Sequence, residues 1–307
     1  MTEPLRIGID LGGTKIAAIA FGAADEILAS HRMSTPRDDY EATLDAIHGL
    51  VAEIESKLGS HGSVGIGTPG SVSPQTHVMQ NANSVWLNGR PLHRDLEQRL
   101  NRPVRLANDA NCFALSEAVD GAAREARCVF GVILGTGCGG GIVIDGACVI
   151  GPRAIGGEWG HNPLPWCVLE EYPGAQCWCG RQGCIETWLS GPALAHDHLN
   201  HTGQQMSPSE IAASALHGET GAVATLNRYA DRLARSLAMV INILDPDIVV
   251  LGGGLSNLDF IYEQVPGHLG SYVFADHCDV NIVPPVHGDA SGVRGAARLW
   301  DLPNHPA

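Results

Sequence analysis

Apolar residues follow two different periods along this chain. Short apolar runs bounded by glycine or polar residues predict buried strands at residues 6–9, 16–21, 64–67, 104–107, 129–134, 142–144 and 248–251. Longer stretches with apolar residues at helical spacing predict helices at residues 40–58, 92–100, 108–119, 207–216, 221–244 and 292–302. Strands and helices that are mixed along the whole chain indicate an α/β fold.

Two of the predicted strand pairs are hairpins with glycine-rich tips. The first tip is residues 10–15 and the second is residues 135–141, so two similar units begin about 125 residues apart. This repeat predicts a duplicated fold with an N-terminal lobe at residues 1–120 and a C-terminal lobe at residues 121–291. The C-terminal helix, residues 292–302, is expected to pack back on the first lobe.

Glycine-rich segments follow three of the apolar strands. Glycine lets the backbone approach a phosphate and turn its N–H groups towards it, which favours a nucleotide site over a set of simple tight turns. Neither a Walker loop nor a Rossmann fingerprint is present, because the second glycine run leads into a strand and not into a helix. The predicted nucleotide-binding residues are Gly8, Asp10, Gly12, Gly13, Thr14, Lys15, Gly135, Thr136, Gly137, Cys138, Gly139, Gly140, Gly141, Gly252, Gly253 and Gly254.

Asp10 ends the first strand at the base of its hairpin. A carboxylate in this position could hold a hydrated Mg²⁺ beside the phosphates, with the Thr14 hydroxyl and the Lys15 charge nearby. The competing interpretation is a turn residue whose side chain bonds its own backbone.

Charge and composition exclude several classes of function. The 307 residues carry a formal net charge of −14, and Lys15 and Lys57 are the only lysines, so the chain has no basic surface for nucleic acid. The N-terminus shows no apolar signal core, and no apolar stretch approaches the roughly 18 residues of a membrane span. Nine cysteines, an odd number without paired spacing, agree with a reducing cytoplasm.

Four of the potential metal ligands are close in sequence. His161, Cys177, Cys179 and Cys184 match a tetrahedral zinc site without an open position, so the metal is expected to be structural. Gly180 and Gly183 allow the tight turns that bring the sulfurs together. The competing interpretation is that three unrelated surface cysteines happen to lie near one histidine.

Three carboxylates are the candidates for chemistry. Glu158 lies three residues before His161, and Glu186 lies two residues after Cys184, so zinc would fix both relative to each other. Asp109 opens a helix directly after a strand, where it is either a helix cap or the general base that takes a proton during attack on a γ-phosphate. Polar groups around Gly70 and Asn83 add hydrogen bonds for a polyhydroxylated ligand.

These motifs together resemble the ROK family of sugar kinases and repressors, within the actin-like ATPase superfamily, and the resemblance covers the chain nearly end to end. The resemblance implies a two-lobed actin-like, ribonuclease H-like duplicated fold with a zinc-binding insertion. It also implies a homodimer that uses ATP and Mg²⁺ to phosphorylate a hexose at its 6-hydroxyl. Asp109 would be the base, and Asn108, Glu158, His161 and Glu186 would contact the sugar.

Flanking residues suggest a subtype within the family. Residues 81–89 and 158–166 look most like bacterial fructokinases of the manno(fructo)kinase type, with N-acetylglucosamine kinases as the nearest relatives. Fructose is therefore the first expectation, N-acetylglucosamine the alternative, and side activity on glucose or mannose is expected because a few contacts discriminate by only about 1–3 kcal/mol.

A sugar-sensing repressor is the alternative outside the enzymes. Repressors of this family carry an additional DNA-binding helical domain before the first hairpin. Only about four residues precede the first predicted strand here and basic residues are sparse, so a kinase is favoured.

Overall fold

A computed structural model describes residues 5–301. Its strands are β1 Leu5–Leu11, β2 Lys15–Phe21, β3 Ile27–Ser34, β4 Gly62–Thr68, β5 Ser71–Val72, β6 Met79–Gln80, β7 Val104–Asn108, β8 Cys128–Leu134, β9 Cys138–Ile144, β10 Ala147–Cys148, β11 Ile248–Gly252 and β12 Asn281–Val283. Its α-helices are α1 Tyr40–Leu58, α2 Leu92–Leu100, α3 Asp109–Val119, α4 Glu186–Leu189, α5 Gly191–Thr202, α6 Pro208–Leu216, α7 Thr220–Leu244, α8 Asp259–Leu269 and α9 Ser291–Arg298.

The first sheet has the strand order β3-β2-β1-β4-β7. β1 runs antiparallel to β2 and parallel to β4, and β4 runs parallel to β7. Asp10 is the register partner of Gly67, and Thr68 is the partner of Asn108. The carboxyl ends of three parallel strands therefore meet at one edge, where ligands bind in open α/β sheets.

The second sheet has the order β10-β9-β8-β11-β12, which repeats the arrangement of the first. β11 runs parallel to both β8 and β12, and β10 runs antiparallel to β9. Gly252 is the register partner of Ile133, so the glycine segments that follow β8 and β11 leave the sheet at the same edge. The repeat confirms the predicted duplicated α/β fold.

The chain divides into two compact units. The first comprises residues 5–121, 141–156 and 289–301, and the second comprises residues 122–140 and 157–288. This division differs from the single boundary that we predicted near residue 120, because the chain after Gly141 belongs with the first unit. There a Cβ atom at residue 141 would lie 2.3 Å from the carbonyl oxygen of Ala110, and the Cys148 thiol lies 3.7 Å from the carbonyl oxygen of Asn111.

Helix α9 packs closely on the first sheet. It ends at Arg298 and is followed by a 3₁₀ turn, Leu299–Asp301, whereas residue 302 of the predicted helix lies outside the described residues. A Cβ atom at Gly8 would lie 2.1 Å from the carbonyl oxygen of Val293. The structure thus gives Gly8 a packing role, because only glycine lets the helix backbone come this near.

Each unit has its own apolar core. In the first, α1 buries Leu44, Ile47, Val51 and Ile54 in a core that also contains residues of β1, β2 and β4. Asp39 caps the start of α1, and Gly59, with φ of 62°, ends it. In the second, α7 buries one apolar face along most of its 25 residues. Burial of these faces supplies the main favourable free energy of folding.

Pattern alone missed eight strands and helices, among them β3, α5 and α8, and misplaced one strand start. β3 has mostly exposed residues, α5 buries only Leu194 and His198, and α8 contains Pro266, so each lacks a clear apolar period. We predicted the second glycine tip at residues 135–141, but β9 already begins at Cys138. Within residues 5–301, no helix is both long and apolar enough to cross a membrane.

Candidate active site and metal centre

The four predicted metal ligands come together in the second unit. The potential ligand atoms of His161, Cys177, Cys179 and Cys184 all lie within 4.8 Å of one another. The Cys179 and Cys184 sulfurs are 3.6 Å apart, and the Cys177 sulfur is 3.6 Å from Nδ1 of His161. Zinc–sulfur bonds of about 2.3 Å in a tetrahedron place ligand sulfurs about 3.8 Å apart, so the residues fit a zinc ion.

A short hairpin holds the cysteines in place. The Cys177 N–H donates to the carbonyl oxygen of Arg181 at 2.7 Å, and the Gly180 N–H donates to that of Cys177 at 3.0 Å. Gly180 and Gly183 have φ of 89° and 68°, which are left-handed values that other residues rarely adopt. The tight turns that we predicted from these two glycines are present.

Glu186 is oriented by the metal-binding loop itself. The Trp178 indole N–H donates to Oε1 of Glu186 at 2.6 Å, and the backbone N–H of Cys138 donates to Oε2 at 2.9 Å. Trp178 lies between two of the cysteines, so the loop that would bind zinc also positions this carboxylate. The sequence alone did not indicate this contact.

Glu158 directly precedes a 3₁₀ turn, Trp159–His161, and His161 is the last residue of that turn. Trp159 anchors this turn, because its indole N–H donates to the carbonyl oxygen of Gly139 at 3.0 Å and its ring packs edge-on against Phe130. Burial raises the pKa of Glu158; the charge of His161 opposes this effect and that of Glu186 adds to it. The pKa of Glu158 is thus sensitive to the charge of Glu186.

An ion-pair network behind the metal-binding segment ties it to α7. Arg235 donates from Nη2 to Oε1 of Glu171 at 2.7 Å, and Arg232 donates from Nε to the same oxygen at 2.8 Å. Arg235 also donates to the carbonyl oxygen of Trp166, and the Arg232 guanidinium lies over the ring of Trp188. Helix α7 therefore holds the chain at Trp166 and Glu171, within the segment, and at Trp188 just after it.

In the first unit, Asp10 stands at the end of β1 with an open carboxylate. Burial raises the pKa of Asp10, against the opposing charges of Lys15 and Arg32. Within residues 5–301 its carboxylate forms no ion pair or side-chain hydrogen bond, whereas Lys15 pairs with Asp289 at 3.5 Å. A partly buried carboxylate without such partners suits a bound cation. Among the described residues, Asp10 also forms no turn-capping hydrogen bond to its own backbone.

Asn108, and not Asp109, is the cap of α3. The Asn108 side chain accepts a hydrogen bond from the Ala110 N–H at 2.9 Å, and Asp109 is the first helical residue. Oδ1 of Asp109 accepts from the same N–H at 2.8 Å. Because Asn108 already caps the helix, a cap alone does not explain the carboxylate of Asp109.

Gly70 and Asn83 lie in neighbouring loops of the first unit. The Gly70 carbonyl oxygen accepts a hydrogen bond from Nδ2 of Asn108 at 3.3 Å. Gly70 has φ of 71°, and a Cβ atom there would lie 2.3 Å from the carbonyl oxygen of Gln80. Asn83 is exposed, and its Oδ1 lies 3.4 Å from the Ser84 hydroxyl.

Two of the predicted glycine segments border one cavity in the second unit. The cavity has a volume of about 570 Å³ and lies between the loops after β8 and β11 and the starts of α5 and α6. Gly135, Thr136 and Gly254 contribute to its wall. The sequence did not indicate the remaining wall residues, which include Gly191, Pro208 and Leu258.

The remaining predicted glycines of this unit have packing partners. A Cβ atom at Gly140 would lie 2.6 Å from Cδ1 of Trp159, and the Gly139 carbonyl oxygen accepts from that indole. The Cys138 N–H is bonded to Glu186. Residues 138–141 are therefore part of strand β9, and the glycine tip shortens to residues 135–137.

The repeated sheets define the actin-like α/β class, and the His–Cys₃ cluster adds a candidate metal centre to this fold. The model of the ROK family matches residues 6–302, and the chain belongs to this family.

The chain is similar to curated and solved members of the family. It is 44% identical over 296 residues to an N-acetyl-D-glucosamine kinase of Shigella boydii, covering 95% of this chain and 98% of the relative. Among solved structures, a ROK hexokinase from Thermus thermophilus is 30% identical with a TM-score of 0.83, over 95% and 96% of the two chains. A ROK family glucokinase from Streptomyces griseus, in complex with glucose and AMPPNP, is 29% identical with a TM-score of 0.78, over 96% and 98%.

Proposed function

We propose that this chain is an ATP-dependent kinase that phosphorylates N-acetyl-D-glucosamine at its 6-hydroxyl. The observation that supports this substrate is the 44% identity to an N-acetyl-D-glucosamine kinase across nearly the full length of both chains. This similarity favours N-acetylglucosamine over fructose. The expectation of fructose rested on residues 81–89 and 158–166 alone. Full-length identity outweighs two flanking segments because it includes every loop that meets the ligand.

Seven residues are proposed to contact the hexose: Gly70, Asn83, Asn108, Asp109, Glu158, His161 and Glu186. Paired carboxylates and an imidazole accept and donate the hydrogen bonds that neighbouring sugar hydroxyls require.

Asp109 would act as the general base. Its carboxylate takes the proton of the sugar hydroxyl while that oxygen attacks the γ-phosphorus. The new oxygen–phosphorus bond forms as the bond to the β-phosphate oxygen breaks, and ADP leaves with that electron pair. The support is structural: Asn108 caps α3, so the Asp109 carboxylate stands at the strand end without being required as the cap.

The nucleotide would occupy the cavity of the second unit. Gly135–Gly137 and Gly252–Gly254 leave parallel strands at one edge of the sheet, next to the wall formed by Pro208 and Leu258. Glycines let backbone N–H groups approach phosphates, and apolar side chains suit a base. Asp10 would hold Mg²⁺, which neutralises charge on the transferred phosphate, with Gly12, Gly13, Thr14 and Lys15 beside it.

The His161, Cys177, Cys179 and Cys184 cluster would hold a structural zinc ion. Four protein ligands leave no position for a reacting water, so the metal would order the loop that carries Trp178 and supports Glu186. Nδ1 of His161 faces the sulfurs, which leaves the other ring nitrogen for the sugar.

We extend the proposal to organisation and location. The two compact units would be the two lobes of the family fold, and the chain would act in the cytoplasm as a homodimer. Thiolates that bind zinc require a reducing environment, which agrees with this location.

Steady-state kinetics tests the proposal. ADP release is measured with ATP and Mg²⁺ for N-acetylglucosamine, fructose, glucose and mannose, and kcat/KM is compared. N-acetylglucosamine is expected to have the highest value. A clear preference for fructose would restore the flanking-residue interpretation, and no turnover on any of the four would overturn the assignment as a sugar kinase.

A further inference from the structure

A second cavity lies in the first unit, beside Asn108. It has a volume of about 370 Å³, and its wall comes from the ends of β4 and β7, the loop after β5 and the loop at residues 150–154. The wall is mixed: Ser71, Asn108 and Asn111 are polar, whereas Pro74, Leu106 and Ile150 are apolar. Of the residues that the sequence singled out, Asn108 lines this cavity, and the remaining wall residues have no role in the proposed function.

The cavity begins where the first unit would contact the sugar. Asn108 lines it, and the Asn108 amide nitrogen donates to the carbonyl oxygen of Gly70 at 3.3 Å. Both residues belong to the proposed hexose-binding set. A substituent on a sugar ring held by these residues can therefore enter the cavity.

Asn111 supplies a polar group without a partner. Its side chain lines the cavity, only 5% of the residue is exposed, and Oδ1 has no hydrogen-bond partner within residues 5–301. A buried acceptor without a donor costs about 1–3 kcal/mol, so such groups usually have a ligand or water as a partner. An amide N–H is a donor that would satisfy it.

We propose that the cavity receives the N-acyl group of a 2-acylamino hexose and accepts acyl chains longer than acetyl. The inference rests on the proposed function. The amide of the substituent would face Asn111 and Ser71, and its hydrocarbon end would face Leu106, Pro74 and Ile150. The volume is far larger than an acetyl group requires, so the first added methylene groups meet open space and not a closed wall.

A series of acyl lengths tests the cavity in the unaltered protein. The values of kcat/KM are measured for glucosamine substrates with N-acetyl, N-propanoyl and N-butanoyl groups, and for glucose as the sugar without the substituent. The N-propanoyl and N-butanoyl substrates are expected within about tenfold of N-acetylglucosamine. A loss of more than a hundredfold at N-propanoyl would overturn the proposal.

A pair of variants locates the effect. Ile150→Trp narrows the cavity, whereas Val149→Trp adds the same bulk at the adjacent residue, which does not line it. Ile150→Trp should lower kcat/KM for the N-butanoyl substrate at least tenfold relative to glucose, and Val149→Trp should leave this ratio unchanged. Equal ratios in the two variants would overturn the cavity assignment.

The outcomes separate this inference from the proposed function. In one outcome, the unaltered chain phosphorylates N-acetylglucosamine while the acyl-length series or the variant comparison gives the contradicting result described above. In that case only the cavity assignment is overturned. If it phosphorylates glucose or fructose and not N-acetylglucosamine, the proposed substrate falls, and the cavity assignment falls with it.

Discussion

The indole N–H of Trp178 donates a 2.6 Å hydrogen bond to Oε1 of Glu186. This contact connects the loop of metal ligands with a carboxylate that we propose to bind the sugar. Removal of the metal and removal of the indole should therefore affect the same step, sugar binding.

Trp178→Phe should weaken sugar binding without stopping the reaction. Phenylalanine keeps an aromatic ring and loses the donor, so Glu186 loses its 2.6 Å hydrogen bond and keeps the longer ones from the Cys138 N–H and the Cys177 thiol. We expect KM for N-acetylglucosamine to rise about fivefold, equivalent to about 1 kcal/mol, with KM for ATP unchanged. Steady-state kinetics with each substrate varied in turn measures both.

Trp166→Phe is the matched control for this prediction. Trp166 lies in the same segment and is 51% exposed, close to the 52% of Trp178, and its ring packs against Tyr272. An equal rise of KM in both variants would show that the Trp178–Glu186 bond has no specific role.

Asp109→Asn should lower kcat by about 100- to 10,000-fold with sugar binding largely retained. Asparagine still accepts the Ala110 N–H bond, so the start of α3 is preserved while the base is lost. Kinetics gives kcat, and calorimetry with sugar alone gives the affinity.

Asp39→Asn controls for the chemical change itself. Asp39 caps α1 through the Ala42 N–H, and asparagine caps equally well, so this variant should keep full turnover. Turnover of Asp109→Asn at the level of Asp39→Asn would remove Asp109 from the mechanism.

The purified chain should contain about one zinc ion, and Cys184→Ser should reduce this content. Loss of the metal frees the hairpin that holds Trp178, so sugar affinity and thermal stability should fall together. Elemental analysis, calorimetric titration with N-acetylglucosamine and thermal unfolding measure the three quantities.

Cys278→Ser is the control, because Cys278 is a half-buried cysteine that lies outside the cluster. It should keep the zinc, the affinity and the melting temperature. A zinc-free preparation that binds sugar with full affinity would contradict the proposed link between metal and site.

Glu55 should make a pH-dependent contribution to the stability of the first unit. Burial by itself raises the pKa of Glu55, but hydrogen bonds from Arg102, the Gly62 N–H and His61 lower it to about 2. A folded-state pKa below the ordinary 4.5 stabilises the folded protein above about pH 4.5, and this contribution disappears as the pH falls towards 2.

Glu55→Gln should therefore lower the free energy of unfolding most near pH 7 and less below pH 4. Urea unfolding at both pH values measures the difference. Glu263→Gln, at an exposed position on α8 without an ion pair among the described residues, should change stability little at either pH. A Glu55→Gln effect that does not depend on pH would mean that the carboxylate charge is not what stabilises the fold.

Several elements followed directly from local pattern. The structure has α1 at Tyr40–Leu58 and α2 at Leu92–Leu100, as the helical spacing predicted, because an amphipathic period is a property of neighbouring residues. The cysteine spacing likewise indicated the metal ligands, since a hairpin brings residues a few positions apart together. The second glycine tip is shorter in the structure than predicted, because β9 begins at Cys138, where Gly140 packs against Trp159 and Gly141 against Ala110.

The sequence by itself thus determined the duplicated α/β fold, because the same hairpin pattern occurs twice, and its local spacing indicated the candidate metal ligands and carboxylates. Only the tertiary structure decided that Asn108 caps α3, that Trp178 donates to Glu186 and that Arg232 and Arg235 bind Glu171. It also established that a cavity lies beside Asn111. These features depend on side chains from separate elements that meet only after the sheets form, and a one-dimensional pattern carries no information on such meetings.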